Sequence, residues 1–145
     1  MILHTASEGI TFSKKLENDS AEFYEKLAQQ NAGDAETLLS FAKENKKNVV
    51  QVERAYYGVI TDAIEGCFAF KIDPDEYTPN TEIKDGTDRA AALQQAVEVE
   101  NKIIKFYTDA AEQSRSLMAD VPRAFTLITR KRAGRLEKLE SLIRG

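Results

Sequence analysis

Leu16-Glu17-Asn18-Asp19-Ser20-Ala21-Glu22-Phe23-Tyr24 is echoed later in the chain by Val99-Glu100-Asn101-Lys102-Ile103-Ile104-Lys105-Phe106-Tyr107. In each copy a Glu stands six residues before a Phe-Tyr pair, so the Glu and the Tyr are i and i+7 and share one face of a helix. The pattern continues into Leu27-Ala28 in the first copy and Ala110-Ala111 in the second. A single copy would read as aromatic core packing beside an exposed Glu. Two copies at matching positions predict a shared inward face that carries Glu17, Tyr24, Glu100 and Tyr107.

Working outward, helical signals dominate a chain with only 7 Gly and 3 Pro. Thr5-Ala6-Ser7-Glu8 has the form of a capping box, and Ile10, Leu16, Phe23 and Leu27 recur at helical spacing, which predicts helix one over 6–30. Asn31-Ala32-Gly33-Asp34 reads as a turn with Asp34 as N-cap, and Leu38, Phe41, Ala42, Val49, Val52 and Tyr56 carry helix two over 35–65. Between 66 and 87 the period fails among turn signals at Asp73-Pro74-Asp75, Pro79-Asn80 and Asp85-Gly86. Asp88 caps a third helix over 88–114, and a fourth spans 121–143 with Pro122 tolerated in its first turn. Two short hairpin turns around one connection of about twenty residues predict an all-α four-helix bundle with a long crossover between helices two and three. A bundle of another topology is the alternative.

Composition narrows the chemistry. The 145 residues make one domain, long enough to bury roughly 68–70% of the surface its unfolded form exposes. One Cys forms no internal disulfide and excludes zinc ribbons and cysteine-bound iron–sulfur centres; it fits a cytoplasmic protein. One His, His4, leaves no Glu-x-x-His motif and is expected at the terminal surface. A net charge of −4 gives no overall footprint for nucleic acid, and no apolar run has the length of a membrane span.

The repeat, with its surroundings, resembles the rubrerythrin-like branch of the ferritin-like superfamily over nearly all of the chain except the terminus and the crossover. In that family helices one and three carry the Glu…Phe-Tyr pattern, while helices two and four each carry Glu-x-x-His, and together they hold two irons in the bundle centre. The resemblance places Glu17 and Glu100 at the family's Glu positions and Tyr24 and Tyr107 at its tyrosines. Helices two and four depart from it. Phe41-Ala42-Lys43-Glu44-Asn45-Lys46-Lys47-Asn48 puts Asn45 at the Glu position and Asn48 at the His position. Ile128-Thr129-Arg130-Lys131-Arg132-Ala133-Gly134-Arg135 puts Arg132 and Arg135 at the corresponding two. Taking Glu44 as the ligand instead would turn its helix by about 100° and leave Lys47 at the His position.

Charge then decides what the altered positions can do. Glu17 and Glu100 bring two negative charges, Arg132 and Arg135 two positive ones, and the two Asn none, so the centre balances itself without a cation. Guanidinium forks suit carboxylates, and Asn can accept from the one and donate to the other. The expectation is a Glu/Arg/Asn network joining all four helices, no bound cofactor, and a binding or scaffold role in place of catalysis. Two readings compete with it. One is a diverged di-iron carboxylate protein, an oxidoreductase acting on peroxide or oxygen or a protein that handles or stores iron, with iron as cofactor. The other puts Arg132 and Arg135 on a basic face with Arg130, Lys131 and Lys138, solvated or binding an acidic partner. The resemblance also implies a homodimer, to which the apolar stretch from Ile64 to Ile72 would contribute if it does not cover a bundle face. Asp73, Asp75 and Glu76 lack EF-hand spacing and read as a solvated turn, and Cys67 reads as a small packed hydrophobe.

Overall fold

The Thr5 hydroxyl accepts from the Glu8 backbone N–H at 3.1 Å while the Glu8 carboxylate accepts from the Thr5 N–H at 3.0 Å. This reciprocal cap, in which the Thr5 and then the His4 backbone N–H hold the Glu8 carboxyl below its usual range, starts α1 at Ala6. In the computed structural model, which describes residues 1–58, 68–116 and 120–145, α1 spans Ala6–Gln30, α2 Ala35–Tyr57, α3 Arg89–Ser114 and α4 Asp120–Arg144. Asp88 caps α3 as its sequence position requires, its carboxylate accepting from the Ala91 N–H at 2.8 Å. The expected continuation of α2 beyond Gly58, and with it Ile64 and Cys67, lies outside the described residues.

Asp34 departs from expectation. It precedes α2, after a 3-10 turn at Ala32–Asp34, but its side chain caps nothing there. Its carboxylate instead takes the Arg89 guanidinium at 2.7 and 3.1 Å, and the same guanidinium donates to the Leu142 carbonyl at 3.2 Å. A bidentate bond to a cationic guanidinium is stronger than a single cap bond to a backbone N–H, and it ties the start of α3 to the start of α2 and the end of α4.

Cross-helix partners fix the direction of each helix. Asn45 meets Ser20 and Asn48 meets Glu17, so α1 and α2 run antiparallel. Tyr24 meets Glu100 and Tyr107 meets Glu17, so α1 and α3 do too. Arg132 reaches Glu100 while Phe125 packs on Phe106, which makes α3 and α4 antiparallel, and Arg135 on Phe41 with Lys131 on Gln51 does the same for α2 and α4. Leu16, Phe23, Leu27, Leu38, Val52, Ile103, Phe106, Phe125, Ile128 and Leu139 are all buried between the helices.

The chain is mostly helical, but it is not purely α. Leu3–Thr5 forms β1 and Phe68–Ile72 forms β2, an antiparallel pair with Leu3 opposite Ile72 and Thr5 opposite Phe68. The sequence reading misses this pair because its partners are remote in sequence and β1 is only three residues long. Ala69, Phe70 and Ile72 are buried, so this part of the apolar stretch covers the chain's own core, while the Phe68 side chain is 71% exposed. His4 is half-buried in β1, not a free terminal residue: its ring stacks on Phe68 at 4.9 Å. Asp73 accepts from the Asp75 N–H at 3.0 Å and starts the Pro74–Glu76 turn, as read. Among the described residues no helix is long and apolar enough to cross a membrane.

Gly9 locks the sheet onto α1. A Cβ placed there would stand 2.3 Å from Cε2 of Phe70, so only a hydrogen at that position lets the ring seat on the helix. Helix propensity alone predicts that Gly9→Ala gains up to ~1 kcal/mol; overpacking predicts a loss of ~1–3 kcal/mol. The second outcome is expected in urea unfolding followed by circular dichroism, and a stabilised variant would show that Phe70 does not seat there.

Candidate functional site

Glu17 and Ser13, Ser20 and Tyr24 follow one another at helical spacing along a single face of α1, and all four are buried. α3 presents Glu100 and Tyr107 on its own buried face. The remaining two helices supply Asn45 and Asn48 from α2 and Arg132 and Arg135 from α4, each at most 2% exposed. All six positions singled out by the repeat and the resemblance, with both tyrosines, meet in one cluster in the middle of the structure.

Arg132 is its centre. Nη1 donates to Glu100 Oε1 at 2.7 Å and Nη2 to Glu17 Oε2 at 2.7 Å, with a longer contact from Nη2 to Asn45 Oδ1 at 3.3 Å. One planar cation thus bridges carboxylates on α1 and α3 while itself standing on α4. Burial pulls the Arg132 guanidinium down, but Glu100 and then Glu17 outweigh that and hold it above its ordinary value. The carboxylates are completed in a reciprocal way. Tyr24 of the first repeat donates to Glu100 of the second at 2.7 Å, and Tyr107 of the second donates to Glu17 of the first at 2.7 Å. Asn48 Nδ2 adds a bond to Glu17 Oε1 at 2.9 Å.

Arg135 closes the next layer. Its Nη1 donates to Asn45 Oδ1 at 2.7 Å and approaches Glu100 at 3.4 Å, and its Nη2 reaches the Phe41 carbonyl at 3.3 Å and Glu44 at 2.7 Å. The guanidinium carbon lies 5.0 Å from the Phe41 ring centroid and 5.5 Å from that of Tyr24, so aromatic faces cover it. Asn45 and Asn48 behave as the sequence argument requires: Asn45 accepts from both Arg and donates to Ser20, and Asn48 donates to a carboxylate. The solvated-face reading of Arg132 and Arg135 is overturned. Arg130, Lys131 and Lys138 are exposed, whereas the two arginines on the same helix point inward.

Sequence reasoning missed three participants. Ser13, whose hydroxyl pairs with that of Tyr107 at 2.9 Å, and Ser20 lie on the face of Glu17 at the spacings that identify it, so periodicity could have found them. Glu44 enters the charge count too. The sequence offers it only as a replacement ligand, but it stands at the rim, about one third exposed, paired with Arg135. Opposite it at the rim, Lys131 donates to Gln51 at 3.1 Å and lies 3.4 Å from Asn48. The network therefore has a balanced inner set and a rim of one added charge of each sign.

The ionisation pattern follows from these contacts. Burial pushes the Glu100 carboxyl up, yet Arg132 and Arg135 with the Tyr24 hydroxyl prevail and hold it below its usual range. Burial, and next the carboxylate each one faces, push the Tyr24 and Tyr107 phenols well above theirs. Nε of Arg132 and Nε of Arg135 have no hydrogen-bond partner among the described residues, so desolvation is not fully repaid. Comparison with protein-family models, curated proteins and solved structures gives no match for this chain.

Replacing Arg132 by Met, close in volume, leaves Glu17 buried without its cation and Glu100 with only the 3.4 Å contact to Arg135, and a loss of ~3–5 kcal/mol in chemical unfolding is expected. An exposed pair such as Lys46 with Glu25, at 3.5 Å, serves as the control; its removal is expected to cost under ~1 kcal/mol. A second measurement concerns pH. Because the folded Glu100 value is depressed, its contribution is complete above the ordinary 4.5 and is lost as pH falls below that toward the folded value. Stability measured across this acid window is expected to fall more steeply in the wild type than in Glu100→Gln, and parallel curves would refute the assignment.

Proposed function

We propose that this chain is a ferritin-like four-helix bundle, related to the rubrerythrin-like branch, whose interior metal-ligand positions now form an ion network, and that it acts as a non-catalytic binding or scaffold protein. The directions of the helices support the topology. With α1 antiparallel to both α2 and α3, α2 and α3 run parallel, so the segment between them must return along the length of the bundle, as a long crossover does. β2 and the Pro74–Glu76 turn belong to that segment.

The observation that carries the functional reading is the Arg132 guanidinium, bonded at 2.7 Å to both Glu17 and Glu100. These are the two carboxylates that the resemblance assigns to iron. The residues present do not fit a di-iron centre. Such a centre takes carboxylates and neutral imidazole around divalent cations, whereas this one has two guanidinium groups and two carboxamides. The inner charges already cancel, so a divalent ion entering there would add two uncompensated positive charges to a desolvated space. At ~4 Å and an effective dielectric of ~20, each cation–guanidinium unit pair costs about 4 kcal/mol per unit charge. No catalytic step is assigned to these residues.

Elemental analysis of protein purified from iron-rich growth, followed by anaerobic addition of ferrous iron, tests the reading. Metal far below one atom per chain is expected, and about two atoms per chain would overturn it. The same framework is expected to gain iron affinity when Asn45→Glu, Asn48→His, Arg132→Glu and Arg135→His are combined, because the carboxylate and imidazole set is then restored on the same four helices.

A further inference from the structure

The outer side of the network opens into a groove between α2 and α4, in two adjoining lobes of about 530 and 650 Å³ that share Lys43, Lys47 and Lys131. α2 contributes Lys43, Lys46, Lys47 and Arg54 to its walls, and α4 contributes Lys131 and Lys138. Arg135 forms part of the floor. Three carboxylates pair with these cations among the described residues: Glu44 and Glu100 on Arg135, at 2.7 and 3.4 Å, and Glu25 on Lys46 at 3.5 Å. Seven positive charges against those three leave +4 along one groove of a chain whose net charge is −4, so the rest of the molecule carries −8. That separation focuses a positive field between two low-dielectric walls.

Gly134 adds a steric observation. It sits inside α4 and lines the groove, its φ is not in the left-handed region, and a Cβ built on it would meet nothing within 4 Å. Neither backbone conformation nor close packing within the chain calls for glycine there, although glycine weakens a helix interior. What its absent side chain leaves is room at the groove floor.

We propose that the groove docks a carboxylate-rich, amphipathic helical segment of a partner protein, laid along α2 and α4. The proposal rests on the binding-protein reading above and names the partner's chemistry. Carboxylate is the group already bound at the floor, where Glu44 occupies one fork of Arg135. Residues 40–54 of α2, which line the two lobes, rise by about 20 Å, which matches four turns of a partner helix. Exposed Val50, which lines the groove, offers apolar contact to the same helix, as helix-in-groove recognition requires. A phosphate ligand is the poorer fit. The walls are helix interiors whose backbone N–H groups are already bonded, so no backbone cradle is available, and lysines spaced along a groove are point charges suited to dispersed carboxylates. Nucleic acid is disfavoured by the −8 elsewhere and by the lining, whose one aromatic, Phe41, is buried under Arg135. A second copy of this chain would bring the same lysines face to face.

Fluorescence anisotropy with a labelled 18-residue helical peptide of Glu, Leu and Ala tests the proposal, with a matched peptide carrying glutamine in place of glutamate and an 18-mer oligothymidine as comparators. The acidic peptide is expected to bind the full chain at least tenfold more tightly than either comparator. Lys43→Glu with Lys47→Glu is expected to weaken it at least tenfold. Gly134→Leu, which changes no charge and favours the helix, is expected to weaken it by a similar factor by filling the groove, with thermal melts confirming that each variant is folded. Absent binding, equal affinity for the glutamine peptide, tighter binding of the oligonucleotide, or undiminished affinity in folded Gly134→Leu would each overturn it. Iron loading reports separately on the functional reading: a chain that loads iron yet binds the peptide retains the groove, and a chain that does neither loses the groove alone.

Discussion

The Arg132 guanidinium between Glu17 and Glu100 is the constraint on which the rest of the structure depends. Three fully buried charges on three helices are costly to desolvate, and their attraction offsets that cost only while every member is in place. The geometry is correspondingly intolerant. A one-residue slip rotates a helix by about 100° and carries the guanidinium or the carboxylate out of the cluster. Apolar packing alone tolerates exchange among similar side chains; a bridging cation with two acceptors does not. The hydrophobic residues therefore supply the bulk of the driving force, and the Arg132 bridge adds a geometric condition that this helix register meets.

Around that bridge the polar side chains are graded by distance from it. Tyr24, Tyr107 and Asn48 satisfy the remaining carboxylate lone pairs, Asn45 joins the two arginines, and only then, at the rim, do Glu44 and Lys131 meet water. Arg135 belongs to both zones. One of its nitrogens serves the interior through Asn45, and the other reaches the groove edge through Glu44. A change in what Glu44 contacts is thus felt one bond away from the buried layer.

The positions of the helices and of the cluster were legible in the sequence for one reason: both are written at helical period. The capping box at Thr5, the cap at Asp88 and the Glu-to-Tyr interval in each repeat are local signals, and each appears in the structure where its spacing puts it. What escaped reading depends on partners remote along the chain. Leu3 cannot announce that it will pair with Ile72, nor can Asp34 announce that Arg89 will take its carboxylate from the helix it precedes. Glu44 illustrates a finer limit. Its angle on α2 excludes it from the centre, as the periodicity argument held, but only the reach of the Arg135 side chain brings it into the network.

The exchange of hydroxyls between the repeats, Tyr24 to Glu100 and Tyr107 to Glu17, is the contact pattern of an isologous dimer, in which residue i of one half meets j of the other and the reverse. Here the two halves are one chain, and that permits something a symmetric pair of identical halves cannot achieve. Two copies of the first half would bury two Glu and four Asn, leaving two unanswered negative charges. Two copies of the second would bury two Glu beside four Arg, with two positive charges in excess. Covalent linkage lets one half hold the carboxamides and the other the guanidiniums, so electrical neutrality in the interior is a property of broken symmetry.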